Sequence, residues 1–302
     1  MTLFTPAISV SGPVQQAIEI REAAPADTGA IGRILYEAFR RFHESRGFAP
    51  DFPTLESATG LAARLIDEPT TYGVVATARG RIVGSNFLSE GDPIRGIGPI
   101  SVDPDYQDGG VGRYLMHAVV RRGAMARGVR LLQDAFNTKS MALYASMGFR
   151  VREPVVVMTG RPRDPLPAGA EVRPMTPADL GPADALARRV HGYARGVELR
   201  AALADGTPLV LVRDGELAAY MTVPGTWALN HAVAETEADM KALILGAGEA
   251  GPGPVGFLVP IRHAELFHWC LVQGLSIVKP MTLMTRGTYL EPQGAWLPSV
   301  FY

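Results

Sequence analysis

The chain repeats its own pattern, and a repeat of this length restricts it to a tandem of similar units. Ile20-Arg21-Glu22-Ala23-Ala24-Pro25-Ala26-Asp27 opens the first half, and Val172-Arg173-Pro174-Met175-Thr176-Pro177-Ala178-Asp179 opens the second. Each reads as a short strand, a turn with proline after Ala or Thr, and the start of an alanine-rich helix. Arg79-Gly80 and Asp214-Gly215 both sit between strand patterns as hairpin turns. Residues 143–149 followed by a strand at 155–158 are echoed by 269–275 and a strand at 281–284. Arg161-Pro162-Arg163-Asp164-Pro165-Leu166-Pro167 reads as a proline-rich linker. The predicted division is an N-terminal extension over 1–17, a first unit over 18–160, a linker over 161–168 and a second unit over 169–302.

With 302 residues the chain can bury two cores. A hydrophobic content of 47%, a charged content of 20% and a net charge of -1 describe a globular protein. Acids balance bases and no basic run exceeds a pair, which argues against a nucleic-acid partner. No apolar stretch reaches the roughly 18 residues a membrane span needs. Residues 1–16 lack the positive start and apolar run of a secretory signal. Cys270 stands alone, so no internal disulfide is expected, and a reducing cytoplasm suits it. The six histidines show no ligand-like clustering with carboxylates, so no metal is expected.

One stretch carries chemistry. Val102-Asp103-Pro104-Asp105-Tyr106-Gln107-Asp108-Gly109-Gly110-Val111-Gly112-Arg113 follows an apolar strand pattern over 97–102 and runs into a helix. Val111, Tyr114, Leu115, Ala118 and Val119 recur on one helical face. Backbone N–H groups at a helix start lack intrahelical partners, and the helix dipole adds positive charge there. Glycines let a bulky anion approach, so the stretch suits a phosphate. It is not a P-loop, because Gly112 is followed by Arg113 and Tyr114. Nor does it carry the full Gly-x-Gly-x-x-Gly of dinucleotide sites.

Downstream, 129–136 reads as a strand and Asn137-Thr138-Lys139-Ser140-Met141-Ala142-Leu143-Tyr144-Ala145-Ser146-Met147-Gly148-Phe149 as a short helix. Asn137 can cap its start and Gly148 its end. Taken together, Gln107-x-x-Gly110-x-Gly112 and Asn137, Leu143-Tyr144 and Gly148-Phe149 resemble the two signatures of the GNAT superfamily of acetyl-CoA-dependent N-acetyltransferases. The resemblance covers about residues 18–160. It implies an α/β fold of two tandem GNAT-like domains, each a mixed, mostly antiparallel twisted sheet flanked by helices.

The resemblance also implies a division of labour at the site. Acetyl-CoA would lay its pantetheine arm along the strand ending at Val102. Amides of Gln107, Asp108, Gly109, Gly110, Val111, Gly112 and Arg113 would hold its pyrophosphate, with the Arg113 cation beside them. Asn137 would bind pantetheine, cap its helix, or do both. Tyr144 would be the general acid, since a phenol stays protonated at neutral pH beside a departing thiolate. The strand over 97–102 carries no Glu or His, although many GNAT enzymes place a base there. Asp134 is the first choice of base, ahead of Glu90, His43 and a chain of waters. The segment His43-Glu44-Ser45-Arg46-Gly47-Phe48-Ala49-Pro50-Asp51-Phe52-Pro53, absent from the second half, reads equally as an acceptor-recognition loop or a surface insertion.

The second half departs from the signature. Ala234-Glu235-Thr236-Glu237-Ala238-Asp239 replaces the glycine turn, and its acids would repel a pyrophosphate. Cys270 stands where Tyr144 stands relative to the following glycine and reads as a core residue. The expected activity is N-acetylation of an amine on a small molecule or peptide, by a cytoplasmic monomer or simple homodimer with no nucleic-acid or membrane partner. The alternative is a non-catalytic acyl-CoA-binding sensor.

Overall fold

The computed structural model describes residues 17–301, so all but the last residue of the expected N-terminal extension lies outside the described residues. The first half runs β1 (Ile18–Glu22), α1 (Thr28–Glu44), α2 (Leu55–Asp67), β2 (Thr71–Ala78), β3 (Arg81–Ser89), β4 (Ile94–Ile97), β5 (Ser101–Val102), α3 (Val111–Arg122), β6 (Gly128–Asp134), α4 (Thr138–Ser146) and β7 (Arg150–Gly160). The second half follows with β8 (Glu171–Pro174), α5 (Leu180–His191), α6 (Gly196–Asp205), β9 (Leu209–Arg213), β10 (Glu216–Met221), β11 (Ala232–Ala234), α7 (Glu237–Ala250), β12 (Val255–Pro260), α8 (Ala264–Val272) and β13 (Ser276–Gly287). A last strand, β14 (Ala295–Leu297), has no counterpart in the first half. The result is the α/β architecture of mostly antiparallel strands flanked by helices that the family resemblance implies. Among the described residues, no helix is long and apolar enough to cross a membrane.

Local chemistry explains the repeat. Asp27 accepts from the Ala24 N–H at 2.8 Å and binds Arg21, with one contact at 2.6 Å. Asp179 accepts from the Thr176 N–H at 2.7 Å and binds Arg173 at 2.8 Å. The same carboxylate thus caps the entry to α1 and to α5 and ties each helix to the preceding strand. Both hairpins also form as expected. Arg79 and Gly80 lie at φ 52° and 73°, Asp214 and Gly215 at 53° and 81°. Two successive positive φ values give a turn whose twist matches that of the flanking strands.

One expectation is corrected, and two gain detail. The strand over 97–102 is broken: β4 ends at Ile97, and only Ser101–Val102 resumes as β5, both paired with β3. The added segment 43–53 falls mostly in the connection between α1 and α2, and each half has two helices before its first hairpin. What differs is the connection, which is long between α1 and α2 and short between α5 and α6. The stretch 161–167 is proline-rich yet pinned: Gln273 Oε1 accepts from the Arg163 and Asp164 amides at 3.1 and 3.0 Å, and Glu249 from Leu166 at 2.9 Å.

The larger sheet has the order β1-β2-β3-β4-β6-β13-β7-β12, with β5 on β3, and the smaller the order β14-β11-β10-β9-β8. The halves therefore exchange their long strands. Strand β13 inserts between β6 and β7, pairing Met281 with Asp134 on one side and with Val155 on the other. Strand β7 in turn pairs with β12 from Val255–Gly160 to Pro260–Val155. Both faces of β13 are buried over 281–285, where Met281, Leu283 and Met284 supply the apolar side chains. Leu283 is fully buried among Ile94, Val210, Val233 and Trp296, joining elements of both halves. Leu283→Ala is expected to cost about 2–5 kcal/mol in urea unfolding, from lost transfer energy plus a cavity. Cys270 lies in the core beside Leu266 and Leu275, where burial pushes its thiol up to about 12.

A candidate active site where two strands splay

Strands β4 and β6 pair in parallel only from Ile94–Gly128 to Gly96–Arg130. Beyond that point β4 turns away through Gly98 and Pro99, whereas β6 continues to Asp134. The gap is a cleft of about 1010 Å³, lined on one side by residues 97–102 and on the other by Leu131, Leu132, Gln133 and Asp134. Clefts of this size accommodate large ligands.

One end of the cleft is the glycine turn. Gln107 Nε2 donates to the Val102 carbonyl at 3.3 Å, drawing the turn against β5. Asp108 and Gly110 take φ values of 66° and 83°, and Gly110 stands at the N-cap of α3 with no side chain capping the helix. A Cβ built at Gly110 would meet nothing closer than the Tyr114 ring at 3.9 Å, so the approach to the helix start is open. Asp108 pairs with Lys139 at 2.9 Å, and Arg113 Nη1 donates to Ser146 Oγ at 3.2 Å, so the turn leans on α4. Val102, Gln107, Asp108, Gly110, Val111, Gly112, Arg113 and Asn137 all line the cleft. Gly109 lies between two of them in the same turn. Asn137 Oδ1 accepts from the Ser140 N–H at 3.1 Å and so caps α4.

Deeper in lie Tyr144 and Asp134. Tyr144 is buried on α4, against Phe149. Burial pushes its phenol up to about 12, a hydrogen bond with Ser140 acts against this, and the Asp134 charge adds to it. The phenol is thus protonated throughout the neutral range.

Asp134 is enclosed in an ionic cluster. His43 Nε2 lies 3.0 Å from Asp134 Oδ2, and Lys279 Nζ lies 2.7 Å from Asp134 Oδ1. Lys279 Nζ also donates to Asp51 Oδ1 and Oδ2 at 2.7 and 2.8 Å. His43 Nδ1 lies 2.8 Å from the Phe39 carbonyl, which can only accept, so Nδ1 carries a proton. Burial lowers the His43 pKa, but Asp134 and Asp51 together outweigh it and hold the ring above its ordinary value. Burial likewise raises Asp134, yet His43 and Lys279 hold it below the usual carboxylate range. Asp51 stays above that range because burial outweighs the Lys279 charge. The Lys279 ammonium also sits 5.0 Å from the Trp227 ring.

This cluster corrects the expectation that no histidine groups with carboxylates. Ligand atoms of His43, Asp51 and Asp134 lie within 4.8 Å of one another, a spacing that could hold a cation. The Lys279 ammonium contacts all three and supplies that positive charge. Of the three alternative bases, His43 and Asp134 come together here. Glu90 instead binds Arg95 at 2.5 Å and Arg122 at 3.0 Å, away from the cleft. Sequence reasoning missed Lys279 and Asp51. The available signal was a lysine within an otherwise apolar strand pattern, since a fully buried lysine is rare unless paired.

The connection between α1 and α2 forms one wall of the cleft through Ser45, Arg46, Asp51, Phe52 and Pro53. Phe48 stacks on Phe136 at 4.3 Å, and Phe39 meets Phe52 edge-on at 5.4 Å. In the second half the helix start equivalent to the glycine turn is capped by a side chain. Thr236 Oγ1 accepts from the Asp239 N–H at 3.1 Å and caps α7, and Asp239 binds Arg213 at 3.0 Å. Strand β14 pairs with β11 through Val233–Trp296, covering the strand edge that would otherwise be exposed.

Residues 69–151 match the family model for an acetyltransferase (GNAT) domain. Mycothiol acetyltransferase from Nocardiopsis dassonvillei is 37% identical over 82 residues, 26% of this chain and 24% of that protein, so the likeness spans about a quarter of its length. A solved structure of a candidate acetyltransferase from Pyrococcus horikoshii superposes with a TM-score of 0.72 at 18% identity, over 98% of both chains. A GCN5-related N-acetyltransferase from Sphaerobacter thermophilus gives 0.61 at 17%, over 92% of this chain and 98% of that one. A tandem GNAT protein from the clavulanic acid biosynthesis pathway gives 0.55 at 16%, over 89% and 98%. The chain has the tandem GNAT fold. The stretch that matches the GNAT domain model lies within its first half.

Proposed function

We propose that the protein transfers an acetyl group from acetyl-CoA to an amine of a small molecule or peptide, using the first-half cleft alone. The observation that carries this reading is the uncapped start of α3 at Gly110, opening into the cleft that holds a protonated Tyr144. Amides of the turn from Gln107 to Arg113 receive the pyrophosphate, and Arg113 adds a cation. The amine nitrogen attacks the thioester carbonyl, forming C–N as C–S breaks. Tyr144 donates to the departing sulfur. Asp134, anionic at neutral pH, accepts a hydrogen bond from the amine, and the proton the amine loses passes through water to bulk solvent. Holding both partners in one geometry supplies much of the rate. The capped α7 and the β14–β11 pairing support a second half that does not bind acetyl-CoA. The setting we propose is cytoplasmic, with the chain acting as a monomer or simple homodimer.

The test is release of free CoA, read with a thiol reagent, on incubation with acetyl-CoA and a panel of amines. One observation favours a second reading, a non-catalytic acyl-CoA sensor: Asp134 is already engaged by His43 and Lys279. Acetyl-CoA binding without turnover on any amine would favour it. Gly110→Glu is expected to weaken acetyl-CoA binding by about a hundredfold, ~2.8 kcal/mol, in calorimetric titration. The new carboxylate repels the pyrophosphate, and its backbone is strained at φ 83°.

A further inference from the structure

A second cavity of about 450 Å³ lies between α2 and α6, at the junction of the two halves. It shares Leu61, Arg64, Leu229 and Phe301 with the cleft, so the two adjoin across these side chains. None of these four belongs to the glycine turn, so the cavity opens from the acceptor side. Its walls are largely apolar, with Leu65, Ile94 and Val197 beside the shared Leu61, Leu229 and Phe301.

Its polar lining is unbalanced. Asp67, Glu68, Asp92 and Glu198 face it against only Arg64 and Arg195. Arg195 is committed to Glu198, donating from Nε at 2.7 Å. Glu198 also accepts from Ser299 Oγ at 3.1 Å and meets His231 Nδ1 at 3.2 Å. Asp92 accepts from the Val197 and Glu198 amides, each at 3.2 Å, at the start of α6. The cavity therefore joins apolar walls to an excess of negative charge, in surroundings where charges interact more strongly than in water.

We propose that this cavity is the subsite for the non-reacting end of the acceptor, and that this end is an apolar chain terminating in an ammonium group. The proposal rests on the N-acetyltransferase reading. With the far ammonium among the carboxylates and the chain against the apolar walls, the near amine is held toward Asp134 and Tyr144. An acceptor ending in a carboxylate is repelled.

Calorimetric titration of the full chain with 1,8-diaminooctane, octylamine and 8-aminooctanoate tests this. The diamine is expected to bind at least about tenfold more tightly than the amino acid, with octylamine between them. Ala201 lines the cavity and is exposed, so Ala201→Phe fills it from a side chain that bears no core load. That variant is expected to weaken diamine binding about tenfold and leave acetyl-CoA affinity unchanged. Asp67→Lys, at an exposed helix end, is expected to narrow the diamine's preference over octylamine by about threefold. Equal affinity for all three probes, or diamine binding that Ala201→Phe does not alter, overturns the subsite. Diamine binding in the cavity without CoA release from any amine leaves the subsite standing and removes the acetyltransferase reading instead.

Discussion

Tyr144→Phe is expected to lower kcat about a hundredfold while the Kd for acetyl-CoA stays within about twofold of wild type. The reason is the placement of one hydroxyl. The ring is buried against Phe149 and the phenol, pushed up to about 12, remains a proton donor at every pH where the enzyme would work. Phenylalanine keeps the packing and loses only the donor, so the leaving thiolate departs without a partner. A hundredfold loss corresponds to ~2.7 kcal/mol at the transition state. Single-turnover measurement separates this effect from product release. A kcat unchanged in Tyr144→Phe would remove the general-acid role.

Lys279→Met is expected to destabilise the fold by about 3–5 kcal/mol at pH 7, read as a lower urea midpoint at unchanged m. Lys279 is buried with its ammonium between Asp51 and Asp134. Methionine fills much of the volume but leaves two buried carboxylates facing each other with only His43 between them. At least one would then bind a proton more readily when folded than when unfolded. A carboxyl raised in this way stabilises the folded state as pH falls, so the deficit should shrink from pH 7 toward pH 5. Adding Asp51→Asn to Lys279→Met should recover part of the loss, because the pair interacts directly. A deficit independent of pH would show that packing, and not charge, is what Lys279 contributes.

What could be read in the chain beforehand was whatever is decided within a few residues. The hairpins at Arg79-Gly80 and Asp214-Gly215 follow from two positive φ values, and the Asn137 cap from one short side chain. The glycine turn and the loss of its counterpart at Ala234–Asp239 are equally local. The break between β4 and β5 was missed because its apolar residues read as one strand, although Gly98-Pro99 stood within it. The partners of β7 and β13 could not be read at all. Residues 155–158 and 281–284 are alike in character, and either could lie beside β6. The charge cluster shares that origin: His43 and Lys279 are separated by 236 residues in sequence and meet only because β13 crosses into the other half. Asp134 was singled out from its place at the end of β6, yet the two groups that hold its pKa down, His43 and Lys279, came from elsewhere.

The exchange of strands has a consequence for how the protein comes into being on the ribosome. Strand β6 has no neighbour on its β7 side until residues 276–287 have emerged, and Asp134 has no ammonium beside it until Lys279 arrives. The nascent first half therefore lacks the native neighbour of β6 for nearly half of translation. A truncated product stalled before that strand should be held by chaperones or degraded, not released as a smaller folded protein.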